Sequence, residues 1–239
     1  MTILYALIAG LITFLITVLG SSLVFIFKKP NKNIMDSFIS ISAGIMLSAS
    51  FFSLINPALK QSEELNMIPY IIVPFFILLG CILLSIGCKG KNKNLLLITS
   101  ITLHNIPEGL AIGVAFGSIG KYSTLTSACL LALGIGIQNF PEGSAVSLPL
   151  IRSGYSKLKA FIIGGLSASV EPISAVIGAL LVIKVKTLLP IFLSLAAGAM
   201  IYVVILELIP ESQTNKHKKI MSILTIIGFC IMMFLDLAL

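Results

Sequence analysis

Apolar stretches of about 17 residues or more follow one another along the whole chain, separated by short polar ones. A helix of that length crosses a hydrocarbon core of about 30 Å. Eight spans are predicted, at approximately 2–27, 34–59, 67–87, 94–117, 122–149, 158–183, 188–211 and 219–238. The loops between them are short and the tails run to a few residues, so no soluble domain fits. The expected fold is an all-α integral membrane protein, multi-pass in the cell membrane, with one transmembrane domain over residues 1–239.

Composition agrees, with 57% hydrophobic residues, 10% charged residues and a mean hydropathy of +1.10. Soluble domains carry roughly 25% charged residues. The first span has no basic segment before it and is too long for the core of a signal peptide. Lys28 and Lys29 follow it in place of a small-residue cleavage site, so it is read as a helix of the mature protein. Cys81, Cys88, Cys129 and Cys230 lie in or beside apolar segments without CxxC pairing, as packing residues do.

The net charge of +7 orients the chain and does not point to nucleic acid. Lys28, Lys29, Lys32, Lys89, Lys91, Lys93, Arg152, Lys157, Lys159, Lys216, Lys218 and Lys219 all fall in the loops after odd-numbered spans. The alternate loops hold only Lys60, Lys121, Lys184 and Lys186. Positive loops stay in the cytoplasm, which places both termini outside.

Two internal similarities suggest how the spans are organised. "HNIPEG" at His104–Gly109 matches "QNFPEG" at Gln138–Gly143, and "SAGIMLSASFFSLINPAL" from Ser42 matches "AAGAMIYVVILELIPES" from Ala196. Each pair sits on spans of opposite direction. That is the pattern of an inverted-repeat transporter with its substrate site near the midplane.

The polar residues then need a cause. Glu108, Glu142, Glu171, Glu207 and Glu211 fall within or at the end of predicted spans. A carboxylate at the bilayer centre costs at least about 2.5–3.5 kcal/mol. A bound cation is the simplest compensation. Residues three and four apart share a helix face, so His104, Asn105 and Glu108 converge on span 4, and Gln138, Asn139 and Glu142 on span 5. Pro107 and Pro141 cannot donate to the carbonyls of Leu103 and Ile137 and are expected to kink their helices. Glu171 stands beside Pro172 on span 6, so three kinked helices can offer Glu108, Glu142 and Glu171 to one centre. Imidazole and oxygen ligands without thiolate suit Zn²⁺, Fe²⁺, Mn²⁺ or Cd²⁺. Metal displaces protons from such ligands, so transport is expected to weaken in acid. Glu207 is one turn deeper than Glu211 and can line an inner exit; Asp36, at the start of span 2, can serve the same mouth or complement the helix dipole. His217, between lysines, reads as an exposed loop residue.

At "HNIPEG" and "QNFPEG" the chain closely resembles the ZIP (Zrt-, Irt-like) family of divalent-metal transporters, particularly its bacterial GufA-like branch. The likeness extends to "EPISAVIG" on span 6 and "ELIPE" on span 7, and so over nearly the whole chain. It implies eight helices in a 3+2+3 inverted repeat and a binuclear site in the transport path. One metal would take His104, Glu108, Gln138 and Glu142, with Met46 beside it. The other would take Asn105, Glu108, Asn139, Glu142 and Glu171, with Asp36 and Glu207 towards the release path. It also implies that spans 1, 4, 5 and 6 move against 2, 3, 7 and 8. The chain departs from many members at Gln138, where they carry histidine, and at Ser53, where they carry an acid or histidine. "CKGKNKN" stands where a histidine-rich loop is common.

The expectation is therefore an importer of divalent cations, zinc foremost, with the metal as cargo and no cofactor. The bilayer and the ions are its partners, and a homodimer is one assembly left open. The rival is a proton-linked carrier of an organic solute that uses the glutamates as a relay. No HExxH signature of a metalloenzyme is present.

Overall fold

A computed structural model of the chain describes residues 1–26, 32–87, 93–120 and 124–238. Lys28, Lys29, Cys88, Lys89, Lys91 and Lys121 lie outside the described residues, as do the side chains of Lys93, Lys184 and Lys186. Eleven α-helices form among the described residues, and no strand. They are α1 (Thr2–Ser21), α2 (Lys32–Ala49), α3 (Asn56–Glu64), α4 (Pro69–Gly87), α5 (Lys93–Gly117) and α6 (Leu125–Arg152). Then come α7 (Lys157–Leu166), α8 (Val170–Leu180), α9 (Val182–Val203), α10 (Ile209–Ser212) and α11 (Lys218–Ala238).

Among the described residues, six stretches are long and apolar enough to cross a membrane: Thr2–Phe25, Lys32–Glu64, Pro69–Ile86, Lys157–Leu180, Thr187–Ser212 and Lys218–Ala238. α5 and α6, at 25 and 28 residues, match them in length but carry the polar motifs. The outward faces of α4 and α11 expose Ile71, Phe75, Leu78 and Ile82, and Ile223, Ile226, Ile231 and Phe234. So large an apolar surface suits hydrocarbon and not water.

Three features go beyond the predicted spans. Span 6 breaks between α7 and α8, which puts Glu171 and Pro172 in the first turn of α8, where a proline removes no intrahelical bond. Pro107 and Pro141 lie inside α5 and α6, and both helices continue through them. Spans 2 and 7 each contain a π-helix, Ser50–Ile55 and Val204–Leu208, followed closely by Pro57 and Pro210. A π-turn admits an extra residue, and such bulges concentrate at functional sites.

These two π-helices lie in the second internal repeat. One offset along the chain carries Gly44 to Gly198, Met46 to Met200, and the start of the first π-helix to the start of the second. The packing repeats with it. A Cβ on Gly44 would stand 1.8 Å from the Thr225 carbonyl oxygen of α11, and one on Gly198 1.9 Å from that of Ile77 on α4. α2 therefore lies on α11 as α9 lies on α4, backbone against backbone, as helices pack in lipid. α5 lies in the same way against α8, and α6 against α1. Two groups result, one of α1 and α5–α8, the other of α2–α4 and α9–α11. They meet chiefly where α5 touches α9 and α2 touches α6. Cys81, Cys129 and Cys230 are free thiols.

Candidate metal centre

Close packing sets the position of the polar side chains. A Cβ on Gly109 would lie 2.5 Å from the Glu171 carbonyl oxygen, and one on Gly143 2.1 Å from that of Thr17. The two motif glycines thus bring α8 onto α5 and α1 onto α6, one residue after Glu108 and Glu142. His104, Asn105, Glu108, Gln138, Asn139 and Glu142 are all at most 2% exposed.

His104 Nε2 lies 3.0 Å from Glu108 Oε1 and 3.3 Å from Glu142 Oε1. One ligand atom from each of His104, Glu108 and Glu142 falls within 4.8 Å of the other two. Ligands about 2.0–2.1 Å from a tetrahedral zinc stand roughly 3.3 Å from one another. The observed spacings match that arrangement. The contacts of His104 Nε2 are close, yet they are not aligned as hydrogen bonds, and His104 Nδ1, Glu108 Oε2 and both Glu142 oxygens also lack partners. Buried polar groups are nearly always paired, and each one left unpaired costs about 1–3 kcal/mol, more when charged. So many acceptors facing one another are reconciled by a cation.

A second polar group adjoins the first. Asn139 Nδ2 donates to both Glu171 oxygens at 2.9 Å and approaches the Thr13 carbonyl at 3.4 Å. Asn105 Nδ2 donates to the Ser167 carbonyl at 3.2 Å, at the break between α7 and α8. The side-chain oxygens of both asparagines are left without partners. Glu171 is thus held by an amide, apart from the cluster of His104, Glu108 and Glu142. Met46 is fully buried, in one apolar cluster with Ala145, Val146 and Met200. Ser50 Oγ joins the two repeats there, lying 2.8 Å from both the Met46 carbonyl oxygen and Met200 Sδ, with one hydrogen to give to either.

Towards the ends of α3, α5 and α11, a cavity of about 470 Å³ reaches Glu108 and Gln138 past Ser53, Gln61 and Asp236. Sequence reasoning passes over Asp236, because an acid so near the end of a span reaches the interface unaided. The available signal is that it falls inside the last predicted span. Ser53 Oγ lies 3.0 Å from Gln138 Oε1 and 2.7 Å from Asp236 Oδ1, and Gln138 Nε2 donates to Glu108 Oε1.

At the opposite end Asp36 is fully buried. Asp36 does not face an open path: Arg152 Nη1 pairs with its Oδ1, and Asn215 Nδ2 donates to its Oδ2 at 2.7 Å. Arg152 Nε also meets Glu211 Oε1 at 3.0 Å, so one guanidinium ties α6 to α2 and α10. Glu211 is partly exposed, Glu207 is half-buried in the second π-helix, and His217 is exposed. Removing one partner of a buried ion pair costs about 3–5 kcal/mol. Arg152 is 21% exposed, so Arg152→Gln is expected at the lower end of that range. A thermal melt in detergent reads it; an unchanged midpoint would show the tie to be without weight.

The family model described as ZIP zinc transporter matches residues 87–236. Zinc transporter ZIP11 of Xenopus tropicalis is 35% identical, over 99% of this chain and 98% of the relative. Zinc transporter ZIPB of Bordetella bronchiseptica is 34% identical, over 98% and 81%. Zinc transporter GufA of Myxococcus xanthus is 37% identical, over 64% and 59%. The resemblance read from the two proline motifs is borne out, and the protein is a multi-pass membrane protein. The matched family model, together with relatives aligned along nearly the whole chain, makes this chain a member of the ZIP zinc-transporter family.

Proposed function

We propose that the protein carries divalent transition-metal cations, zinc foremost, into the cell through the centre between α5, α6 and α8. One observation carries this reading: His104, Glu108 and Glu142 are buried at ligand spacing, with every acceptor atom but Glu108 Oε1 unpaired. Relatives named as zinc transporters support zinc as the cargo. The protein is read as a carrier and not an enzyme, with eight spans and both termini outside. α2 continued by α3, α7 by α8, and α9 by α10 each count as one span.

Two metals are assigned. His104, Glu108, Gln138 and Glu142, with Met46 near, hold the first. Asn105, Glu108, Asn139, Glu142 and Glu171 hold the second. Glu108 and Glu142 bridge the two ions, and the three carboxylates nearly balance two divalent charges. The cavity past Asp236 is the outer vestibule. At the inner end Arg152 joins the two helix groups, so a movement of α1 and α5–α8 against the rest must part it from Asp36 and Glu211 before metal leaves past Asp36 and Glu207. A proton-linked organic-solute carrier has no comparable support, since His104, Glu108 and Glu142 each offer one ligand atom at the spacing of ligands around a single ion.

The test is uptake into vesicles that hold the purified protein and a trapped zinc-sensitive dye. Saturable zinc influx is expected, competed by Cd²⁺ in preference to organic solutes. It should weaken as the outside is acidified from about pH 7 to pH 5, because protons compete for imidazole and carboxylate ligands. Flux equal to that of empty vesicles, with folded protein present, refutes the reading.

A further inference from the structure

Ser53 cannot donate to both of its neighbours. A serine hydroxyl carries one hydrogen, yet Ser53 Oγ faces two acceptors, Asp236 Oδ1 at 2.7 Å and Gln138 Oε1 at 3.0 Å. The carboxylate is the nearer and, being charged, the stronger acceptor. Once the hydrogen goes to Asp236, Ser53 Oγ and Gln138 Oε1 face each other with nothing between them. The oxygen and nitrogen of an amide are assigned from its hydrogen bonds and not from its shape. Turning the Gln138 amide over resolves the conflict: Nε2 donates to Ser53 Oγ and Ser53 Oγ donates to Asp236 Oδ1, so no two acceptors face each other along this chain.

The same turn changes what the metal centre sees. Before the turn Gln138 Nε2 donates to Glu108 Oε1, so an NH₂ group faces the ligand cluster and occupies a carboxylate oxygen. After the turn Gln138 Oε1 points there instead, beside Glu108 Oε1, and joins His104 and Glu142 as an acceptor with no donor to meet it. A cation favours that orientation, and without one the NH₂ group is favoured. We propose that Asp236, acting through Ser53, holds the Gln138 amide with its carbonyl oxygen towards the metal. Ser53 and Asp236 are positioning residues, and Gln138 is an oxygen ligand because of them. The inference rests on the metal-transport reading and says how this chain makes a ligand of glutamine, which by itself presents either an acceptor or a repelling donor.

A double-mutant cycle on zinc binding by the purified full-length protein tests it. Ser53→Ala removes the hydroxyl and leaves the Asp236 charge in place; affinity is expected to fall about tenfold, with Ser53→Thr restoring it. In a Gln138→Ala background the same Ser53→Ala change should cost less than about twofold, since no amide remains to orient. Asp236→Asn should weaken binding by no more than Ser53→Ala. Its amide offers Ser53 either an acceptor or a donor, so the serine hydrogen, and with it the Gln138 amide, is no longer held one way. Equal losses in both Gln138 backgrounds, or no loss in the first, overturn the proposal and leave Asp236 as a charge in the vestibule. Failure of the unaltered protein to bind zinc overturns the functional reading itself, a separate outcome. The metal-free melting point, expected to be unmoved by Ser53→Ala, excludes a general loss of structure.

Discussion

Glu108→Ala combined with Glu142→Ala abolishes zinc uptake and lowers zinc affinity by more than about 100-fold, while leaving the metal-free protein at least as stable. The two effects share one cause. Each carboxylate is buried, and three of their four oxygens have no hydrogen-bond partner. In the metal-free state they are a cost, because unpaired charge in a low-dielectric site is unfavourable. Replacing such groups with apolar ones is commonly neutral or stabilising. With metal present the sign reverses, since each carboxylate places one oxygen, Oε1, at ligand spacing from His104 Nε2. A ligand at 100 times its Kd stabilises by about 2.7 kcal/mol, which for a chain of this size is about 5–10 °C in Tm. That zinc-dependent rise is expected in the unaltered protein and absent from the double variant. A rise that survives in the variant would remove both residues from the site. A metal-free Tm that falls steeply would show that they hold the fold instead.

Much of this arrangement was legible in the chain because membrane burial makes polar residues conspicuous. His104, Asn105, Glu108 and their counterparts on α6 stand out against hydrocarbon, and helical spacing alone puts each set on one face. The proline motifs also carried the family. Residues whose role depends on a partner far away in sequence were not legible. Asp36 reads as an exit carboxylate, but its pairing with Arg152, more than a hundred residues on, is not written in the chain. Glu171 reads as a third carboxylate, and the hold of Asn139 on both of its oxygens is likewise unseen there. Asp236 acquires a role only because α11 lies on α2 and turns it towards Ser53. The π-helices likewise follow from packing: nothing in "SFFSLI" or "VILEL" marks an added residue per turn. Their match in position shows only once Gly44 is seen against α11 and Gly198 against α4.

Gly143→Ala is expected to disable the protein more completely than any other single methyl group on α6. Its Cβ would stand 2.1 Å from the Thr17 carbonyl oxygen and 2.7 Å from the Ser21 nitrogen, both backbone atoms of α1. Neither can turn aside, so α1 and α6 must part by more than 1 Å to reach ordinary contact. In lipid no hydrophobic force draws the helices back together, because their association depends on this close approach. Overpacking of well-fitted cores costs about 1–3 kcal/mol and occasionally more, and a rigid backbone on both sides puts this site at the top of that range. At about 2–4 °C for each kcal/mol, Tm falls by about 10 °C. Function suffers further, since Glu142 is the neighbouring residue and a ligand set tolerates displacement of only about 0.5 Å. Gly136→Ala on the same helix is the control. Its Cβ would meet the far end of the Ile16 side chain, Cδ1, at 2.9 Å, and that methyl can rotate away. Tm within about 3 °C of the unaltered protein and retained zinc binding are expected there. If the two substitutions behaved alike, helix propensity and not backbone contact would govern α6, and the close approach of α1 would have no part in placing Glu142.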